Sequence, residues 1–444
     1  MSNFISVNKK IKKFNDKIIV PGDKSLSIRW VLLASLANGV SKAKNLLISE
    51  DVIAAINAIK KLGIKSIIKK NECKIYGKGF GGYKYAKNLT INAKNSGTLG
   101  RLILGFLVNS PYPIKIIGDK SLSKRDFKRI SDPLSKFGVK FKLRKNKFLP
   151  LKIYGSSKLI PIKYYENKGS AQCKSSVIFG AMRAGGTSKI KAKKSRNHTE
   201  LMFKELGIPI KVIKEKYYDF IEISGLTNFK SFEYRVPGDL SSSAFFLVLT
   251  LLSKESKIRI KNVNINETRT GIIKILNRMN AKIVYKNKKR YKGEIVSDIL
   301  VKSVNNLKGI RCPKSLNSSA IDEFLVIFLV AAKAKGISTF SDLGELNKKE
   351  SPRLNIAIKL LKMMGIKVLR KNNDVKIYGN PKLNLKGKFT VKNYSKDHRV
   401  FMMSCIAALT FGGNWEIFDK DSTYTSFPYF LKIIKQLGAE IIEN

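Results

Sequence analysis

Lys24, Ser25, Arg29, Arg125, Lys349, Arg353 and Arg399 all stand in short turn-like segments or at helix openings, each beside Gly, Ser, Asp or Glu. Cations in such places suit an anionic ligand. The first N–H groups of a helix have no intrahelical partner and lie at the positive end of its dipole, so they add to the charge of a nearby Lys or Arg. The clearest segment is Val20-Pro21-Gly22-Asp23-Lys24-Ser25-Leu26-Ser27-Ile28-Arg29, which returns in weaker form as Val236-Pro237-Gly238-Asp239-Leu240-Ser241-Ser242-Ser243. The chain repeats itself in halves.

Further segments share this design. Asn95-Ser96-Gly97-Thr98-Leu99-Gly100-Arg101 sets small residues, which let a ligand approach the backbone, before a helix carrying Arg101. Ser170-Ala171-Gln172 and Ser195-Arg196-Asn197-His198 offer hydroxyl, amide and guanidinium groups suited to a polyhydroxylated, phosphorylated ligand. Asp322-Glu323 precedes the apolar run Phe324 to Ala332, Lys349-Glu350-Ser351-Pro352-Arg353 puts two cations around one carboxylate, and Asp397-His398-Arg399 precedes the apolar helix Val400 to Leu409. Taken singly, each has a plainer reading: an N-cap, a solvated ion-pair face, a surface loop or a structural histidine. Their conjunction is the informative fact.

The elements that position them follow one grammar. Six times an amphipathic helix ends in Leu, Phe or Met followed by Gly or Asn, and then come an alternating strand, a polar turn and another strand. These junctions are Leu62-Gly63, Phe137-Gly138, Leu206-Gly207, Met279-Asn280, Met364-Gly365 and Leu437-Gly438. Gly and Asn fit because the residue after a helix commonly takes positive φ. Three repeats close alike, at Ile75-Tyr76-Gly77, Ile153-Tyr154-Gly155 and Ile377-Tyr378-Gly379. A spacing of roughly 70 to 85 residues matches a small α/β unit that cannot bury both faces alone. Three units make one domain, which predicts one domain over 21–237 and a second over 238–444 joined by residues 1–20, with a hinge near 20–22 and 236–239.

Length and composition agree with two domains: 444 residues, 43% hydrophobic, are enough for two substantial cores. The net charge of +54 would suggest a nucleic-acid partner, but the lysines are spread over almost every segment instead of clustering beside aromatics. That dispersion fits compositional drift and small anionic substrates. Cys73, Cys173, Cys312 and Cys405 are far apart with no C-x-x-C pair, so neither zinc nor a disulfide framework is indicated, and a reducing, cytoplasmic setting is expected. The longest apolar runs are too short for a bilayer, which needs about 20 residues, and the N-terminus has no secretion signal.

In order along nearly the whole chain, these segments resemble the 5-enolpyruvylshikimate-3-phosphate synthase family. They are the Pro-Gly-Asp-Lys-Ser turn, Asn95 to Thr98 with Arg101, Gly118-Asp119-Lys120-Ser121-Leu122 with Arg125, Ser170 to Gln172, Ser195 to Glu200, Pro237-Gly238-Asp239, Asp322-Glu323, Lys349 to Ser351 with Arg353, and Asp397 to Arg399. The resemblance implies a two-domain inside-out α/β barrel in which each domain holds three βαβαββ repeats. It also implies transfer of the enolpyruvyl group of phosphoenolpyruvate to the 5-hydroxyl of shikimate 3-phosphate, with release of phosphate and no metal or organic cofactor. The partners implied are those two small molecules, with no specific nucleic acid and no membrane, and the protein is expected to be a monomer.

Carried over residue by residue, the resemblance implies that Lys24 sits between the substrates and that Ser25 and Arg29 hold the shikimate carboxylate. Ser170, Ala171, Gln172, Ser195, Arg196, Asp322 and Lys349 line the shikimate phosphate and ring. Lys24, Gly97, Arg125, Gln172, Arg353 and Arg399 receive phosphoenolpyruvate. Asp322, Glu350 and Lys24 share the proton transfers, with Asp322 near the hydroxyl and Glu350 near the methylene. Room beside Gly97 implies inhibition by glyphosate, and a cleft lined with like charges implies an open state that closes on shikimate 3-phosphate.

Three places depart from the family's commoner pattern: Asn347 and Pro352 around Glu350, Asp126-Phe127 after Arg125, and Thr425 before Ser426-Phe427-Pro428, where some members have Lys. The related UDP-N-acetylglucosamine enolpyruvyl transferases share the six-unit fold, but they generally carry a Cys on a mobile loop, and 118–129 has none. A second alternative, an RNA-binding or RNA-end-processing protein, rests on the charge and on a related repeat fold in RNA terminal-phosphate cyclases.

Overall fold

The structure, a computed structural model, describes residues 3–444. The chain forms two compact units. One comprises Gly22–Val236 with Arg290–Glu294, and the other comprises Pro237–Lys289 and Ile295–Asn444 with the N-terminal segment up to Pro21. Each has its own apolar core.

In the unit of 22–236, three four-stranded sheets are built alike. Thr90–Asn92 pairs in parallel with Ile114–Ile117, which pairs antiparallel with Phe148–Tyr154, followed by Lys140–Arg144. Lys163–Glu166, Thr187–Lys193, Tyr218–Ser224 and Ile210–Lys214 repeat the arrangement. So do Glu233–Arg235, Asn38–Lys44, Glu72–Lys78 and Ser66–Lys69, where the leading strand comes from the end of the unit and closes its first sheet.

The other unit follows the same plan with borrowed strands. Asn15–Ile19 lies parallel to Lys257–Asn264, and Phe4–Val7 lies antiparallel to both Gly412–Phe418 and Ile442–Glu443. Its middle sheet has three strands, Gly336–Phe340, Asp374–Gly379 and Val368–Lys371. Isolated bridges at Lys308–Lys335 and Arg311–Thr339 stand where a leading strand would run. This is the inside-out α/β architecture of two three-repeat domains.

The first helix of every repeat is largely buried, polar residues included, while the second is amphipathic. All of Leu240–Leu252 is buried, as are Phe324 to Ala332 of Phe324–Lys333 and every residue of His398–Phe411. Lys24–Leu36, Gly97–Phe106 and Ala171–Arg183 form the corresponding trio in the first unit. By contrast, Glu50–Lys61 carries Glu50 and Asp51 in its first turn and Lys60 and Lys61 in its last, which complements the dipole.

The residue types at the repeat junctions meet their predicted geometry. Gly63, Gly138, Gly207, Asn280, Gly365 and Gly438 all have positive φ, between 69° and 96°. The shared closing glycines have another cause: a Cβ at Gly77 or Gly379 would overlap the last carbonyls of a buried helix, those of Ala34 and Ala37 or of Ala331 and Ala334. The lysine excess also finds its place. In Thr187–Lys193 the buried residues are Ser188, Ile190 and Ala192, and the lysines alternate outward, where each stays hydrated.

Candidate active site

In the unit of 22–236, the three buried helices open on the motif residues. Asp23, Ser96 and Ser170 cap them, accepting from the N–H groups of Leu26 (2.9 Å), Leu99 (3.2 Å) and Cys173 (3.3 Å). The cap reading holds for Asp23 and Ser96, and Ser170, in a segment whose plainer reading is a surface loop, caps a helix as well; the neighbouring side chains make further contacts. Lys24 pairs with Asp51 at 2.9 Å. Gln172 donates to Thr98 Oγ1 at 3.0 Å and accepts a short bond from Arg101, tying the second helix opening to the third. Arg125 Nη2 donates to Asn95 Oδ1 at 2.7 Å, and a Cβ on Gly97 would lie 2.8 Å from Arg125 Nη1. The glycine thus keeps the guanidinium against the helix opening.

Arg29 is 2% exposed, and its donors meet neutral oxygens: Nε to Thr199 Oγ1 at 2.8 Å, Nη2 to Ser175 Oγ at 3.0 Å and Nη1 to the Ser25 carbonyl at 3.1 Å. Burial is the largest influence on this guanidinium and outweighs Glu200 and Asp23, lowering its pKa to about 10. It remains a cation at neutral pH, held in a poorly solvated place, where an incoming carboxylate would be worth more than at the surface. Beside it, Lys174 and Glu200 form a buried pair at 2.6 Å. Ser195 is buried and Arg196 half-buried just before the helix His198–Glu205.

The second unit holds the acids. Arg353, 1% exposed, donates from Nε to Asp397 Oδ2 at 2.9 Å and from Nη2 to Asp397 Oδ1 at 3.2 Å and Glu350 Oε2 at 2.5 Å. Its Nη1 reaches Asp322 Oδ1 at 3.4 Å, and Lys349 Nζ reaches the same oxygen at 3.2 Å. Asp322 and Glu350 therefore sit at the two amino ends of one guanidinium. Burial alone would lower the Arg353 pKa, but Asp397, Glu350 and Asp322 together raise it. For Asp397, burial pushes upward and Arg353 pulls harder downward, leaving the carboxyl below its ordinary range. Asp397 also caps its helix through the Arg399 N–H (3.0 Å) and accepts from Ser351 Oγ (2.9 Å). Arg399 Nη1 donates to the Asp322 carbonyl at 2.8 Å.

The substituted positions have local explanations. Asn347 Oδ1 accepts from the N–H groups of Leu354 (3.1 Å) and Asn355 (3.2 Å), so it caps the helix Arg353–Met363, whose opening Pro352 leaves with one donor fewer. Pro352 does not dislodge Arg353. Phe127 is fully buried against Gly100, with the Arg101 guanidinium 5.7 Å from its ring centre. Thr425 Oγ1 lies 3.3 Å from His398 Nδ1.

At Asp322-Glu323, Glu323 occupies the cap position of Phe324–Lys333 without a side-chain cap bond. Sequence reasoning also passed over several supporting groups. Ser175 could have been found one helical turn after Ala171, and Asp51 at the start of an acidic turn. Arg269, which is 3% exposed and bonds Asp239 and Ser241, left no sequence signal. Among the described residues, no group of three or more His, Cys, Asp or Glu could hold a metal ion, and no helix is long and apolar enough to cross a membrane.

Known proteins match the chain over nearly its whole length. The sequence model of EPSP synthase (3-phosphoshikimate 1-carboxyvinyltransferase) matches residues 8–434. The chain is 39% identical over 425 residues to the 3-phosphoshikimate 1-carboxyvinyltransferase of Caldicellulosiruptor bescii, covering 95% of this chain and 96% of that one. It is 40% identical over 431 residues to the Petrotoga mobilis protein of the same name, covering 96% and 98%. Among solved structures, the EPSP synthase of Acinetobacter baumannii superposes with a TM-score of 0.86 at 31% identity, covering both chains completely. The enolpyruvyl transferase NikO of Streptomyces tendae shares the fold, with a TM-score of 0.78 at 12% identity over 100% of this chain and 99% of that one. With its acids gathered on Arg353, its cations at helix openings and relatives matched from end to end, this chain belongs to the EPSP synthase family.

Proposed function

We propose that the protein transfers the enolpyruvyl group of phosphoenolpyruvate to the 5-hydroxyl of shikimate 3-phosphate and releases phosphate, a step in aromatic amino acid biosynthesis. The observation that carries this reading is the pair of carboxylates, Asp322 and Glu350, held by the single guanidinium of Arg353 in a chain matched along its length by relatives of that name. The alternatives, a UDP-N-acetylglucosamine enolpyruvyl transferase or an RNA-processing protein, draw no support from those relatives.

The reaction needs a base for the 5-hydroxyl proton, an acid for the enol methylene carbon, and then the reverse transfers as phosphate leaves the tetrahedral intermediate. Asp322 takes the hydroxyl proton, Glu350 delivers one to the methylene, and Lys24 assists at the bridging oxygen. Lys349 and Arg353 hold the Asp322 carboxylate in place at 3.2 and 3.4 Å, and fixed cations stabilise the charge of the intermediate without reorganising. Ser25, Arg29, Ser170, Ala171, Gln172, Ser195, Arg196 and Lys349 bind shikimate 3-phosphate. Gly97, Arg125, Gln172, Arg353 and Arg399 bind phosphoenolpyruvate. No cofactor takes part. The protein works as a cytoplasmic monomer without a specific nucleic-acid partner, and light scattering at about the chain mass of 49.9 kDa tests the oligomeric state.

The deciding experiment is phosphate release with both substrates, repeated for Glu350→Gln and Asp322→Ala. We expect release only when both substrates are present, and kcat lower by about 10²–10⁴ in each variant, the usual worth of a general acid or base. No release by the wild-type chain overturns the reading of function; unchanged variants overturn the assignment of the acids.

A further inference from the structure

Arg399 is held from two sides. Asp397 fixes its backbone N–H, and a second chain of contacts approaches its guanidinium. Arg269 Nη2 donates to Asp239 Oδ1 at 2.9 Å and to Ser241 Oγ at 2.7 Å, Ser241 Oγ donates a short bond to Glu323 Oε1, and that oxygen lies 3.9 Å from Arg399 Nη1. Arg269, Asp239, Ser241 and Glu323 are all buried. We infer that Arg269, acting through Ser241 and Glu323, is a positioning residue that keeps the Arg399 guanidinium on the Asp322 carbonyl and so available to phosphoenolpyruvate. This rests on the function proposed above.

The physical reason is charge balance in a poorly hydrated place. Glu323 contacts both the hydroxyl polarised by Arg269 and, more loosely, the guanidinium of Arg399. While Arg269 holds that hydroxyl, Arg399 stays with the carbonyl at 2.8 Å and lies 3.9 Å from Glu323. Without Arg269, the buried carboxylate draws Arg399 to itself, because a buried charge is costly unless it is paired. The substrate anion then meets a cation already neutralised and turned aside. Asp239 does not take over this role, since it carries the same sign as Glu323 and is occupied with the Ser241 N–H at 2.8 Å. Arg269 touches no reacting atom on this account; it acts only through what Arg399 is left free to do.

The test compares Arg269→Gln, Arg269→Lys, Ser241→Ala and the double variant Arg269→Gln/Glu323→Gln by steady-state phosphate release. We expect Arg269→Gln to raise KM for phosphoenolpyruvate about 10- to 100-fold, as displacement of a binding group by about 1 Å does, with KM for shikimate 3-phosphate within twofold of wild type. Arg269→Lys recovers part of the loss. The double variant recovers most of it, because removing the Glu323 charge removes the competitor for Arg399, a rescue that simple loss of packing would not produce. Ser241→Ala cuts the same relay while leaving Arg269 on Asp239, and it supplies the reading if Arg269→Gln does not fold. An active wild-type chain whose Ser241→Ala and folded Arg269→Gln forms keep their KM, or whose double variant is no better than Arg269→Gln, overturns this inference alone. An inactive wild-type chain overturns the function on which it rests.

Discussion

Replacing Asp397 by Asn tests the central web most sharply, because it removes one charge and leaves the shape nearly unchanged. Asp397 is fully buried and accepts from Arg353 Nε at 2.9 Å, Arg353 Nη2 at 3.2 Å, Ser351 Oγ at 2.9 Å and the Arg399 N–H at 3.0 Å. Breaking a buried pair from one side costs about 3–5 kcal/mol. Arg353 keeps Glu350 at 2.5 Å and Asp322 at 3.4 Å, so the lower end applies, about 3 kcal/mol. With a urea slope of about 2 kcal/mol/M for a unit of this size, the midpoint falls by about 1.5 M.

The tryptophans make the assay local. Trp30 lies in one unit and Trp415 in the other, both buried, so a Trp30→Phe background leaves Trp415 to report on the unit that contains Asp397. The wild-type advantage also has a defined pH range. A carboxyl with a depressed folded-state pKa contributes stability above its unfolded value, and that stability is lost as pH falls through the folded value. The gap between wild type and Asp397→Asn should therefore hold from neutral pH to about 4 and then close on further acidification. A midpoint shift below about 0.5 M, or a gap that widens toward acid, refutes the reasoning.

Gly97→Ala places a methyl group where Arg125 Nη1 lies 2.8 Å away, so KM for phosphoenolpyruvate should rise about tenfold and glyphosate inhibition should weaken in parallel; an unchanged inhibition curve contradicts the role given to Gly97. Asn347→Ala removes the cap from Arg353–Met363 and should destabilise the unit by about 1 kcal/mol in the Trp415 urea curve, with no effect expected in a Trp30-only protein. Glu294→Ala leaves His198 Nδ1, now bonded at 2.6 Å within a fully buried pair, without its carboxylate. A loss of about 3 kcal/mol in the Trp30 curve is expected, and a loss under 1 kcal/mol would mean that the pair contributes little.

The sequence by itself determined the features that are local. Repeat junctions were legible because Gly and Asn take the positive φ found at Gly63, Gly207 and Asn280 at the least cost. Buried and outer helices could be told apart because Leu240–Leu252 has no polar face and Glu50–Lys61 has one. Motif residues stood out because Asp23 and Ser96 are cap types set before largely apolar runs.

Only the tertiary structure decided which groups meet. Nothing in local pattern connects Arg269 to Ser241, Arg353 to Asp397 or Arg29 to Thr199, pairs separated by 28, 44 and 170 positions. The same holds for Asn347, an apparent departure from the family pattern, which becomes a helix cap only once its loop folds back over Leu354 and Asn355. Propensity and capping act over a few residues along the chain, whereas charge compensation acts through space. A carboxylate's partner is therefore fixed by the packing of buried helices and not by its neighbours in sequence.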